Sequence, residues 1–490
     1  LQKQVGKLLL ALAATLGTGV VQGEEWSRFR GENGTGVAAT AKDLPEIWGP
    51  TENLAWKVKL PGPGSSSPIA VGDRIFVTCW SGYGTPESEG AKQSELKRHL
   101  VCVSKASGQV LWDKSVPAAL PEDYYDGMFA QHGYASHTPV SDGKSVFVFF
   151  GKSGVFGFDL QGNPLWHTDV GSGLDPRTWG SASSPVLYKD TVLVLASAES
   201  QTLYALNKNS GEVVWKKKAD NFQGTWGTPV LAKTGDGTSE LVVGVPGELW
   251  GFNPDNGKFL WYCPANQDDS YCSSVVAVGD IVYAVEGRGG GGIAVRAGGK
   301  DDVSSSHVLW KNSESNRIGT PIVLEGRLVY FNNGIAICLD AATGKEIYKN
   351  RLTSSSGGPG PGGPGPGGPG PGGRPGAGGG PGRGAGGPGG FGGPGGFGGP
   401  GGPGGARRGG GPGGFGMGGQ DYSSAIAGDG KIYFLRRNGD LHVLKAGDQF
   451  QSLAINRVTT DNEDFSATPA IVGKNLIVRS SVHLYCIGPK

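Results

Sequence analysis

Ser67-Pro68-Ile69-Ala70-Val71-Gly72-Asp73-Arg74-Ile75-Phe76-Val77-Thr78 is the stretch whose reading decides the fold, and it continues after a longer loop into His99-Leu100-Val101-Cys102-Val103 and Gln109-Val110-Leu111-Trp112. Its apolar and polar residues alternate as half-buried antiparallel strands require. Gly72 and Gly108 stand at the tight turns, where a backbone free to take positive φ is needed. Pro68 stands at the strand entrance, where it costs no ladder hydrogen bond. The unit therefore predicts four short strands closed by a tryptophan.

The unit recurs. Openers are Ser67-Pro68, Thr138-Pro139, Ser184-Pro185, Thr228-Pro229, Ser274-Val275, Thr320-Pro321, Ser424-Ala425 and Thr468-Pro469. Closing aromatics are Trp112, Trp166, Trp215, Trp261, Trp310, Tyr348 and Phe450, with Trp56 ahead of the first opener. A repeat of about 45 residues is the signature of β-propeller blades. The expected fold is all-β: eight four-stranded antiparallel blades, or seven if the unit around Phe450 fails. The last repeat ends at Tyr485-Cys486-Ile487, one strand short, and Leu54-Ala55-Trp56-Lys57-Val58 has the form of that missing strand. An N-terminal strand is thus expected to complete the last blade and leave no open edge. Each closing aromatic should pack between neighbouring blades, and the openers should cap backbone groups rather than act as nucleophiles.

The expected domain plan is a signal peptide at 1–23, an extension at 24–53, blades one to six with the closing strand at 54–353, an insert at 354–419, and blades seven and eight at 420–490. Lys3 and Lys7 precede the short apolar core Leu8 to Leu16, and Val21-Gln22-Gly23 suits cleavage, which predicts export to the periplasm or beyond. The apolar run is too short for a membrane span, and no cysteine follows it to carry a lipid. The insert is nearly all Gly and Pro, with Arg374, Arg383, Arg407 and Arg408. It has almost nothing to bury and no sustained collagen frame, so a disordered linker is expected.

Charge is balanced, with 44 Lys and Arg against 43 Asp and Glu, so no global field draws the chain to nucleic acid or acidic lipid. Six cysteines in an exported chain raise the question of disulfides. Cys102, Cys338 and Cys486 share one register position, filled by Ala205 or Gly251 in other blades. That position asks for a small buried group and predicts free thiols there. Cys263 with Cys272, and Cys79 with Cys102, are left open as pairs.

Candidate binding residues cluster just before the openers, in loops expected to ring one mouth of the central channel: His132, Tyr134, His137, Trp179, Trp226, Tyr271, Tyr422 and Phe465. Such an aromatic collar suits a planar or sugar-like ligand, or simply plugs the mouth. The glycine-rich loop from Glu286, with Arg288 and Arg296, could cradle an anion. No His, Cys, Asp or Glu cluster has metal-ligand spacing, and no spacing ties residues into a catalytic set.

The unit Leu206-Asn207-Lys208-Asn209-Ser210-Gly211-Glu212-Val213-Val214-Trp215 resembles the PQQ-like β-propeller repeat. The chain as a whole resembles bacterial secreted proteins of that family opening on a Trp-x-x-Phe-Arg-Gly-x-Asn-Gly motif, here Trp26-Ser27-Arg28-Phe29-Arg30-Gly31-Glu32-Asn33-Gly34. His132 to Pro139, Trp179 to Pro185 and Glu286 to Asp302 look like the same group. Two branches of the family imply different functions. Quinoprotein alcohol dehydrogenases hold pyrroloquinoline quinone and calcium in the channel, but their adjacent-cysteine pair is absent here, and their calcium ligands and catalytic Asp find no matching position. The scaffold lipoprotein of outer-membrane β-barrel assembly binds proteins without a cofactor. The expectation is a non-catalytic scaffold for a protein or glycan partner, with no cofactor and no nucleic acid. A quinone-dependent oxidoreductase is the alternative.

Overall fold

In a computed structural model, residues 26–125, 132–265, 268–287, 291–355 and 420–489 are described. The expected signal peptide and nearly all of the Gly/Pro insert lie outside these residues. Eight small sheets follow one another along the chain. Blade one is formed by Ile69–Val71, Arg74–Ser81, Lys97–Ser104 and Val110–Pro117. Blades two to seven repeat this order, beginning at Val140, Val186, Val230, Val276, Ile322 and Ile426. In blade eight, Ala470–Val472, Asn475–Arg479 and His483–Ile487 are completed by Leu54–Lys59, antiparallel, with Trp56 opposite Cys486. The chain is an eight-bladed propeller sealed by an N-terminal strand.

The openers explain the closure. Each sits just ahead of its strand, and its backbone N–H donates to the opener hydroxyl of the next blade. The bonds run Ser67 to Thr138 (2.9 Å), Thr138 to Ser184 (3.0 Å), Ser184 to Thr228 (3.0 Å) and Thr228 to Ser274 (2.9 Å). They continue Ser274 to Thr320 (3.1 Å), Thr320 to Ser424 (2.9 Å), Ser424 to Thr468 (2.9 Å) and Thr468 back to Ser67 (3.1 Å). A short hydroxyl at this position reaches the neighbour's amide, and the eight bonds return to the residue where they began.

Hydrophobic clusters lie between blades, for example Phe147, Phe149 and Trp166 of blade two with Val192, Val194 and Leu206 of blade three. The closing tryptophans stitch this seam. Trp56, Trp112, Trp166, Trp215 and Trp310 each donate their indole N–H to a carbonyl of the following blade, those of Lys105, Leu160, Lys208, Pro254 and Ala341, at 2.8–3.1 Å. Their rings lie against the turn glycine of that blade. A Cβ on Gly211 would stand 2.6 Å from Trp166, and one on Gly257 2.5 Å from Trp215. The same rings face the small third-strand position of their own blade, as Trp112 faces Cys102 and Trp261 faces Gly251. All six thiols are free.

Two units depart from the template. In blade seven Phe450 does not close the fourth strand. The turn from Lys445 carries an extra residue, the strand is Ser452–Asn456, and Ala454 stands opposite Val443 where other blades have the aromatic. Phe450 takes the turn-glycine place instead and meets Tyr348 of blade six, with ring centroids 5.9 Å apart. In blade four Trp261 donates to Glu240 at 2.7 Å, because the third and fourth strands of blade five are joined by a longer loop. Asp301–Asp302 of that loop pairs in parallel with Trp261 and Tyr262, a fifth strand on the outer edge of blade four.

The extension 26–53 is more than a leader to the closing strand. Its main chain accepts from the inner strands of blade one (Ala70 N to Trp26 O, 2.9 Å) and blade two (Ser141 N to Ser27 O, 2.9 Å). It then reaches the inner strands of blades four, six and seven, so it crosses the central channel. Val37–Ala38 ends the crossing as a parallel partner of Ile426–Gly428.

Candidate functional site

The axis is filled first from this crossing. Asn33 holds Leu231 of blade four by both main-chain groups, Nδ2 donating to O at 2.7 Å and Oδ1 accepting from N at 3.3 Å. Arg30, only 1% exposed, donates to the carbonyls of Gly34 at 3.0 Å and of Pro321 in blade six at 2.7 Å. Arg28 donates to Pro229 O at 3.4 Å. Burial alone pulls the Arg28 guanidinium down to about 10 and Arg30 to about 9. Gly31 is required by geometry: φ is 67°, and a Cβ there would stand 2.7 Å from the Trp26 ring. The Trp-x-x-Phe-Arg-Gly-x-Asn-Gly motif is thus a plug held by the Asn33 amide and the Nη groups of Arg28 and Arg30, which bond to main-chain groups at the inner ends of the blades.

At the mouth above the hydroxyl ring, loops of opposing blades touch. His132 of blade two stacks on Tyr422 of blade seven, centroids 4.3 Å apart at 26°. Burial holds the His132 imidazole down to about 4, so it is neutral at pH 7. Trp179 and Trp226 pack at 5.0 Å, and Trp226 donates to Gly180 O at 2.7 Å. Arg317 from the blade-six loop lies 5.7 Å from the Trp179 ring centroid, and Arg437 lies 5.5 Å from that of Tyr422. Cation–π contacts of this kind contribute about 0.5–2 kcal/mol each and tie the loops together.

The remaining candidates are placed elsewhere. Tyr134 is buried among Trp80, Leu96 and Tyr125, its hydroxyl donating to Asp123 O at 2.9 Å. Tyr271 lies over Gly244, where a Cβ would come within 2.2 Å of its ring. Phe465 packs against Gly439, where a Cβ would be 2.9 Å away. Arg288 lies outside the described residues. Arg296 is not brought to Glu286: the strand Gly292–Arg296 separates them, and Arg296 pairs instead with Asp280. Glu286 accepts from the N–H groups of Cys272 (3.1 Å) and Ser273 (2.7 Å), and burial pushes its carboxyl well above the usual range.

A buried polar cluster beside His137 escaped sequence reading. Arg98 pairs with Glu122 at 2.6 Å and Lys152 with Asp123 at 2.5 Å, all four side chains nearly inaccessible. His137 Nε2 lies 3.1 Å from Ser181 Oγ, which donates to Glu199 Oε1 at 2.5 Å. With Glu199 ionised and accepting from Ser181, the role left for His137 Nε2 is to donate to the hydroxyl. That order is the reverse of a nucleophilic triad, where the imidazole accepts from serine. Burial drives His137 down to about 3 and Glu199 up to about 7. The only sequence signal was a run of charge, Lys97-Arg98-His99, entering an apolar strand.

Pyrroloquinoline quinone with calcium needs a planar slot on the axis and a cage of roughly six to eight oxygens. Among the described residues no group of three or more His, Cys, Asp or Glu could hold a metal. The axis is crossed by residues 26–38, and the mouth rings lie against one another. Among the described residues the axis offers neither that slot nor that cage.

Fold and axis together define a plugged eight-bladed propeller, and comparison with known proteins places it. Residues 50–245 and 97–350 match the PQQ_2 family model, described as outer membrane protein assembly factor BamB, and the chain belongs to this family. Outer membrane protein assembly factor BamB of Burkholderia pseudomallei is 24% identical over 315 residues, 63% of this chain and 69% of that protein. Quinoprotein ethanol dehydrogenase of Pseudomonas aeruginosa is 33% identical over 159 residues, 29% of this chain but 24% of the relative's own length. Among solved structures, BamB from Moraxella catarrhalis aligns with a TM-score of 0.53 at 10% identity, covering 89% of this chain and 99% of that one. Quinohemoprotein alcohol dehydrogenase from Comamonas testosteroni aligns with a TM-score of 0.55 at 11% identity, covering 95% and 81%. At such identities the structural likeness speaks for the fold. No helix among the described residues is long and apolar enough to cross a membrane.

Proposed function

We propose that the chain is a non-catalytic scaffold that engages a protein partner on its outer surfaces, in the periplasm or outside the cell. The observation that carries this reading is the plug: Trp26 to Ala38 occupies the axis where a propeller enzyme would keep its cofactor. The likeness to an outer membrane protein assembly factor over 69% of that relative supports the same reading. The match to a quinoprotein ethanol dehydrogenase spans only 24% of that enzyme. The test is a titration of the purified protein with pyrroloquinoline quinone and calcium, followed by a dye-linked alcohol oxidation assay. No saturable binding at micromolar quinone is expected. Saturable binding with dye reduction would overturn the scaffold reading.

A further inference from the structure

The outermost strand of every propeller blade has one side with no partner in its own sheet, and blade four shows what such an edge can accept. There Asp301–Asp302 lies in parallel register, Asp301 opposite Trp261 and Asp302 opposite Tyr262, and Val303 N donates to Tyr262 O at 3.0 Å. With this cover in place Trp261 is fully buried. Blade three presents the same strand uncovered. In Val213–Lys218, Trp215 holds the place of Trp261, each facing the small third-strand residue of its blade. Val213 is 45% and Val214 53% exposed. Lys216, Lys217 and Lys218 are exposed, and none forms an ion pair among the described residues. Two adjacent exposed valines on a strand edge are a template for pairing with another chain. Three unneutralised lysines beside them select its charge.

We propose that the outer edge of blade three is a docking edge for an extended acidic segment of a partner protein, which adds to the sheet as a fifth strand. Main-chain hydrogen bonds supply the pairing, the valines accept alternate apolar side chains, and the lysines accept carboxylates. The proposal rests on the scaffold reading for its choice of partner. Its test is independent of the quinone titration, so either can fail alone.

The probe is a short fluorescein-labelled peptide alternating Glu and Val, followed by anisotropy against the full chain at low and physiological salt. Controls are a Lys/Val peptide and a Glu/Val peptide interrupted by Pro, which removes the ladder donor. The Glu/Val peptide is expected to bind, weaken with salt, and slow amide exchange at residues 213–218. K216E/K217E/K218E should lose at least about tenfold in affinity, and V214D a similar factor. Both changes fall on exposed side chains, so folding should survive, and a matching thermal transition checks that. Failure of the Glu/Val peptide to bind would overturn the proposal. So would equal binding of the Pro-interrupted peptide, undiminished binding to the triple variant, or protection confined to another blade.

Discussion

The turn glycines carry two burdens that single substitutions can separate. Gly257 and Gly279 both adopt positive φ, 69° and 62°. A Cβ on Gly257 would stand 2.5 Å from the Trp215 ring, whereas one on Gly279 meets open space. Left-handed backbone costs a non-glycine residue about 1–2 kcal/mol, and overpacking adds about 1–3 kcal/mol. Denaturant unfolding should therefore show Gly257→Ala losing about 2–5 kcal/mol and Gly279→Ala only about 1–2 kcal/mol. Equal losses would mean that the indole yields. The residue scale is also where sequence reading met its limit. Phe450 looked like a closing ring because aromatics close the other units, but one extra residue in the turn moved it to the glycine place and left Ala454 opposite Val443. His137 was legible as a residue near the channel. Its link through Ser181 to Glu199 was not, because these residues belong to another blade and no spacing ties them to His137.

Among the elements, the hydroxyl circle joins inner strands that share no sheet. Ser184 accepts from Thr138 N at 3.0 Å inside the ring. Ser184→Ala leaves that amide buried without an acceptor, a loss of about 1–3 kcal/mol. Ser184→Thr keeps the oxygen, and threonine already serves at Thr138, Thr228, Thr320 and Thr468, so it should cost well under 1 kcal/mol. Thermal unfolding of the two variants checks the contrast. The strands themselves were readable from period-two alternation and turn glycines, and so was the closing strand, because Trp56 carries the mark of its class. The crossing segment was not. Its residues make no periodic pattern, and Asn33 and Arg30 satisfy main-chain groups nearly two hundred and three hundred residues away. The glycine-rich stretch after Glu286, proposed as an anion nest, lies partly outside the described residues. Beyond it, the strand Gly292–Arg296 carries the chain to a loop that covers blade four, a role no local pattern announced.

For the whole molecule, buried ionisable groups set the response to pH. Glu199 is raised from 4.5 to about 7 by burial. Below about 4.5 its carboxyl is protonated in both the folded and the unfolded chain and costs nothing. As pH rises from there to about 7 the unfolded chain ionises first and stability falls; above that the penalty is constant. Glu199→Gln stays neutral and can still accept from Ser181. The melting temperature of this variant minus that of the parent should be near zero at about pH 4 and rise to a plateau above about pH 7. A flat difference would mean that Glu199 titrates alike in the folded and the unfolded chain. The histidines act with the opposite sign. His132, His137 and His442 are held down to about 4, 3 and 4 by burial, so each withdraws stability as pH falls below about 6.5.

The seam of blade eight also sets a timetable. Leu54–Lys59 is synthesised before all of its partners, and His483–Ile487 after the other seven blades. Until that last hairpin exists, Trp56 has no third-strand residue to face. Thr468, the link that returns the hydroxyl circle to Ser67, is equally late. Seven blades can form in order behind the ribosome or translocon, but the ring cannot lock until the whole set has been delivered. An unfinished copy therefore carries an open strand edge and unmatched aromatics, the features that chaperones and proteases recognise. Closure of the circle is thus a test of completeness that only a full set of eight blades can meet.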